Sequence, residues 1–172
     1  MTEEQFNFRY FLHKLSCRMV TFLNDELAID TNNLSVALDT LQKMELNYLT
    51  SLINVEGNIK MFVAFSYDER LFNEVFSRYT ADLEIEDDEH EEAIVDSAGD
   101  IINIIVGNTL ADFNDSKQRI IMSPPIAITA AKQIGCPRSS VFYGADIVTD
   151  YGRLDIFLVN NLDELKESVM HG

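Results

Sequence analysis

The sequence predicts an α+β fold, an antiparallel β-sheet with long helices packed on one face. Three observations carry that prediction. Apolar side chains recur at helical spacing over residues 5–24, where Phe8, Phe11, Leu12, Leu15, Met19, Phe22 and Leu23 share a side. Two β-rich runs, 46–53 and 59–65, flank the Gly-containing turn 54–58 and read as a hairpin. The last third of the chain then reads as sheet. A long helix, a hairpin, further helices and more antiparallel strands are the order of helices laid on an antiparallel sheet. At 172 residues, 47% hydrophobic and 24% charged, the chain suffices for one domain, 1–172, with a proper core.

Taken in order, the first helix is followed by a polar connection over 25–33. Residues 34–43 fit a strand and a short helix equally. After the hairpin, Ser66 to Glu69 start a short helix whose buried side is Leu71, Phe72, Val75 and Phe76. The acidic run from Glu84 leads into a longer helix that ends near Phe113 and is stopped by Asn114, Asp115 and Ser116. Residues 119–122 are extended, Pro124 and Pro125 follow, and 126–128 have helical or extended potential. A second hairpin joins 141–148 to 153–159 across 150–152. These Val-, Ile- and Phe-rich strands are expected to end the sheet and to need an edge partner. Asn161 is placed to cap a final short helix over 162–169.

Composition excludes several functions. The formal charge is −16, from 29 acidic and 13 basic residues, which opposes binding to nucleic acid or to an anionic membrane surface. Apolar stretches are broken by charge well short of the roughly 20 residues of a membrane span. The start, Met1 to Glu4, has no basic segment followed by an apolar one. Cys17 and Cys136 are isolated, as expected of packing residues in a reducing compartment. Together these features predict a cytoplasmic protein. His90 lies among contiguous carboxylates, but one imidazole in such a run fixes no metal geometry. Acidic residues there suit a helix N-terminus. Phosphate-loop, dinucleotide, α/β-hydrolase and zincin motifs are absent from the sequence.

The chemistry-bearing candidate is the helix through residues 94–110. At about 100° per residue, Asp96, Asn103 and Gly107 fall within roughly 60° of Asp100, while Ile94, Ala98, Ile101, Ile102 and Ile105 crowd the opposite side. Asp, Asn and Gly are poor helix formers, so this face gives up helix propensity. Ile104 and Leu110 lie roughly 40° and 80° to either side of Asp100 as apolar shoulders. Gly99 and Gly107 keep the surface low, permitting close approach by a partner. A polar pair between apolar shoulders is how a protein-docking site looks.

The stretch Ser97-Ala-Gly-Asp-Ile-Ile-Asn-Ile-Ile-Val-Gly-Asn108, followed by Met122-Ser-Pro-Pro125, resembles the CheX, CheC and FliY family of bacterial chemotaxis phosphatases. Members carry Asp or Ser, an acid, usually Glu, then Asn three residues on, and a later Pro. Asp96, Asp100 and Asn103 fill the first places, with Pro124 and Pro125 at 21 and 22 residues after Asn103. The resemblance implies hydrolysis of the aspartyl-phosphate of a CheY-like receiver domain. Asn103 would orient the attacking water and Asp100 would pair with the receiver's active-site Lys. Asp96, Gly99, Ile104, Gly107 and Leu110 would contact the partner. The chain would need no cofactor of its own, Mg²⁺ being supplied by the receiver. CheC and FliY types repeat the motif on the first helix, whereas Ser16 to Asn24 here contain no acid-x-x-Asn. One motif per chain resembles CheX and implies a homodimer.

The acid is Asp100 rather than Glu, shorter by about 1.5 Å of reach. Either the helix docks more deeply, or the Lys pairing is weaker and the activity lower. The alternatives from other classes are a non-catalytic adaptor that binds a receiver, and a structural module in which the stripe is only solvated.

Overall fold

The computed structural model describes residues 6–41, 43–113, 119–130, 133–135 and 140–161. The expected stop at 114–116, the helix over 162–169 and Cys136 lie outside them. Helix α1 (Phe8–Thr21) begins where Asn7 caps it, its Oδ1 accepting from the Tyr10 N–H at 3.0 Å. Phe11, Leu12, Leu15 and Met19 are buried along its inner side. A π-helical turn, Phe22–Glu26, carries the chain away.

Strand β1 (Thr31–Leu41) resolves the ambiguous 34–43 stretch as extended. Pairing with β8 (Ser140–Thr149) decides it, with Leu34 opposite Ile147 and Val36 opposite Ala145. β2 (Lys43–Glu45) and β7 (Gln133–Gly135) form a separate two-stranded ribbon. β3 (Leu49–Gly57) and β4 (Met61–Tyr67) form the first hairpin, its turn displaced toward residues 58–60 because Val55 pairs with Met61. Gly57 ends β3 with a φ of +113°, and a Cβ there would lie 2.0 Å from the Arg119 carbonyl oxygen. Only glycine fits that close approach.

α2 (Glu69–Tyr79) buries Leu71, Phe72, Val75 and Phe76 as expected. The acidic run forms a 3₁₀ turn, Asp87–Glu89, from which α3 (His90–Phe113) continues. β5 (Ile120–Met122) and β6 (Ile126–Ile128) follow, and the second hairpin is β8 with β9 (Gly152–Asn161).

The large sheet is antiparallel, in the order β1-β8-β9-β4-β3-β5, with β6 also on β3. The expectation that β8 and β9 end the sheet is therefore corrected. Both lie inside it, β8 covered by β1 and β9 by β4, and their Val, Ile and Phe content reflects burial on two faces. α1, α2 and α3 pack on one face against Ile53, Val63, Phe65, Ile147, Ile156 and Leu158. On the other face, Met44, Leu46 and Ile134 from the ribbon and the segment after it cluster with Ala64, Phe142, Phe157 and Val159.

Candidate functional site on helix α3

α3 is the one helix among the described residues long and apolar enough to cross a membrane by length and composition. Its apolar side is spent on the core, however. Ala98, Ile101, Ile102, Ile105 and Val106 are buried in the main cluster. Their burial fixes the rotation of the helix, and that rotation turns Asp96, Asp100 and Asn103 to the surface. Asp100 and Asn103 stand three residues apart, about 4.5 Å along the axis. Neither Asp96 nor Asn103 has a side-chain hydrogen bond or ion pair within the described residues. A carboxylate and a carboxamide are thus available to an outside partner.

The flanks differ from one another. Ile104 is 45% exposed and forms the expected shoulder. Leu110 does not, being only 5% exposed within the main core. On the helical wheel it lies about 20° from Gly99, on the flank where Pro125 and Met122 meet the helix. Gly99 and Gly107 are half-buried, and part of the space above them is taken by the protein itself. A Cβ at Gly99 would meet Pro125 Cγ at 3.0 Å, and one at Gly107 would meet Met122 Cε at 3.6 Å. The glycines accept the protein's own strap, residues 122–125, which lies beside Asn103.

Across the stripe, Tyr79 at the end of α2 packs its ring on Phe22 at 6.3 Å. Burial, then the negative charges of Asp100 and Glu26, hold its phenol above its ordinary pKa. Tyr79 therefore stays a neutral hydroxyl near Asp100 at neutral pH. Sequence reading missed this neighbour, since its proximity depends on how α2 packs on α3. The Pro pair was visible in the sequence, but its seat at Gly99 was not. His90 turns its ring edge-on to Phe76 at 5.2 Å. Among the described residues no group of three His, Cys, Asp or Glu side chains is arranged to hold a metal.

Residues 49–145, more than half of the chain, match the family described as chemotaxis phosphatase CheX. The chain belongs to the CheX family. A search of curated proteins gives no match. Solved CheX-like structures agree with the fold. A chemotaxis protein CheX from Desulfovibrio desulfuricans superposes with a TM-score of 0.68 at 12% identity, over 87% of this chain and 97% of that one. The CheX of a CheX–CheY–BeF3–Mg complex from Borrelia burgdorferi gives 0.68 at 13% identity, over 91% and 100%. Thermotoga maritima FliY gives 0.56 at 13% identity, over 92% and 90%. At these identities the likeness establishes the α+β fold, and the family rests on the sequence match. Within this CheX-family fold, Asp100 and Asn103 form an exposed polar pair on α3.

Proposed function

We propose that the chain, acting in the cytoplasm as a single domain, accelerates hydrolysis of the aspartyl-phosphate of a CheY-like receiver. The observation that carries this is the exposed Asp100–Asn103 pair on a helix whose opposite side is locked in the core. The Asn103 carboxamide oxygen holds a water by accepting a hydrogen bond from one of its O–H groups, leaving an oxygen lone pair directed at phosphorus. Attack in line breaks the bond from phosphorus to the aspartyl oxygen, releasing inorganic phosphate and the free receiver carboxylate. Positioning supplies the rate, with no covalent step on this chain. Asp100 pairs with the receiver's active-site Lys and anchors the docking. Asp96 and Ile104 border the contact. The metal ion this chemistry needs is Mg²⁺ held by the receiver, consistent with a relative crystallised with CheY, BeF3 and Mg.

A homodimer is part of the same reading. β1 ends the sheet among the described residues, and its regular stretch from Asn33 to Ala37 offers the edge that a second copy would extend. Sedimentation at micromolar concentration should give a dimer; a monomer would refute that arrangement while leaving the site intact.

One observation favours a second reading. Asp100 is a methylene shorter than the usual Glu, and a receiver-binding adaptor without hydrolytic activity needs less exact placement of that carboxylate. The test is phosphate loss from a phosphorylated CheY-like receiver with Mg²⁺, with and without the chain. Faster loss supports the phosphatase; binding with unchanged loss leaves the adaptor.

A further inference from the structure

Pro125 is seated on α3 where the helix has no side chain to hold it off. A methyl group at Gly99 would stand 3.0 Å from Pro125 Cγ and 3.5 Å from its Cβ. The first distance is well inside the roughly 3.5–4.0 Å optimum of a carbon–carbon contact. The strap bearing Pro125 is tied to β3 on its other side. β5 pairs with Val55 to Gly57 and β6 with Thr50 to Leu52, leaving residues 123–125 to cross between them. There the Ser123 N–H donates to the Asn54 carbonyl at 2.9 Å, and Ser123 Oγ accepts from the Asn54 N–H at 3.0 Å. Two consecutive prolines restrict the backbone further.

Gly99, Asn103 and Gly107 are spaced four residues apart, so they form one ridge of the helix. The strap touches both ends of that ridge, Pro125 at Gly99 and Met122 at Gly107. Asn103, at its middle, stands exposed along the strap's rim.

We propose that Gly99 is a positioning residue of the phosphatase site: by seating Pro125 against α3 it fixes the 122–125 strap as a wall beside Asn103, against which the receiver's active-site loops register. This rests on the phosphatase reading and adds to it what sets the depth and lateral position of docking. The wall replaces the role expected of the glycines as open ground for the partner.

The test is Gly99→Ala in the full chain, assayed by phosphate release from a phosphorylated CheY-like receiver with Mg²⁺, with thermal unfolding measured in parallel. Alanine is the better helix former, so a melting temperature near or above wild type is expected. The displaced wall should raise KM for the phosphorylated receiver about three- to tenfold, equivalent to roughly 0.7–1.4 kcal/mol, with a smaller change in kcat. Pro125→Ala adds no atoms and removes the ring carbon that meets Gly99, loosening the wall's seat, so it should raise KM in the same direction. If Gly99→Ala does not fold, Pro125→Ala decides. Unaltered KM in the folded variants overturns the inference, as does a fall in kcat that simply follows a lowered melting temperature. A wild-type chain that gives no acceleration ends the phosphatase reading and this one with it. Acceleration that Asn103→Ala abolishes but these two variants leave with wild-type KM ends this inference alone.

Discussion

Replacing Asp100 by alanine separates binding from folding, because this carboxylate makes no hydrogen bond or ion pair among the described residues. Arg18–Asp112, Lys43–Glu45, Arg78–Glu74 and Arg153–Asp155 are ion pairs of the fold, and Asp100 is in none of them. Alanine improves helix propensity by up to about 0.7 kcal/mol. It also removes a like-charge spacing with Asp96, one turn away, that costs about 0.2–0.5 kcal/mol. The variant should therefore be roughly 0.5–1 kcal/mol more stable than wild type in urea unfolding. Affinity should move the other way. Losing a charge-assisted contact to the receiver's Lys costs about 1–3 kcal/mol, which is about 5- to 150-fold in Kd. Titration of a receiver carrying Mg²⁺ and beryllofluoride against both proteins reads this directly. Asp100→Glu extends the side chain by about 1.5 Å and should bind as tightly as wild type or more so. An Asp100→Ala affinity within about twofold of wild type would refute the pairing, since that lies below the smallest contribution assigned to it.

Two further predictions concern the scaffold. Ile102→Ala empties a fully buried position beneath the site and should cost about 2–5 kcal/mol of stability, measured by chemical denaturation, whereas exposed Asn103→Ala should stay within about 0.5 kcal/mol of wild type. Asp155 is buried on the sheet face away from the helices, bound by Arg153 at 2.9 Å and by Asn47 Nδ2 at 2.9 Å. Burial pushes its carboxyl above the usual range, Asn47 and Arg153 pull it back, and Asp146 adds to the upward shift. The folded state then keeps this proton to higher pH than the unfolded chain. Its contribution is therefore fully present below the unfolded carboxylate pKa, about 3.9, and is lost as pH rises through the higher folded value. Urea unfolding from pH 4 to 7 should show Asp155→Asn gaining stability relative to wild type as pH rises; the opposite trend would contradict the sign.

What the sequence made legible was whatever depends on local periodicity. The buried side of α1, the buried side of α2 and the two-faced pattern of α3 follow from 3.6-residue spacing, and each appears where that spacing puts it. The β8–β9 hairpin was legible from its turn at residues 150–152. Non-local choices were not legible. β1 is a strand because β8 lies beside it, and no pattern within 34–43 decides between strand and helix. The interior position of β8 and β9 comes from long-range pairing with β1 and β4. At the site, the exposure of Asp100 and Asn103 was readable from the wheel. The burial of Leu110 and the strap seats at Gly99 and Gly107 were not, because a wheel shows which residues share a face but not which chain segment covers it.

The central claim is that Asn103 acts on the attacking water and not on the grip of the complex. The most direct measurement is phosphate release from a phosphorylated CheY-like receiver by wild type and Asn103→Ala, with the affinity of each for the same receiver. Alanine has no group to hold the water, so acceleration should fall at least about tenfold, with affinity within about threefold of wild type. Equal rates for the two proteins would contradict the account.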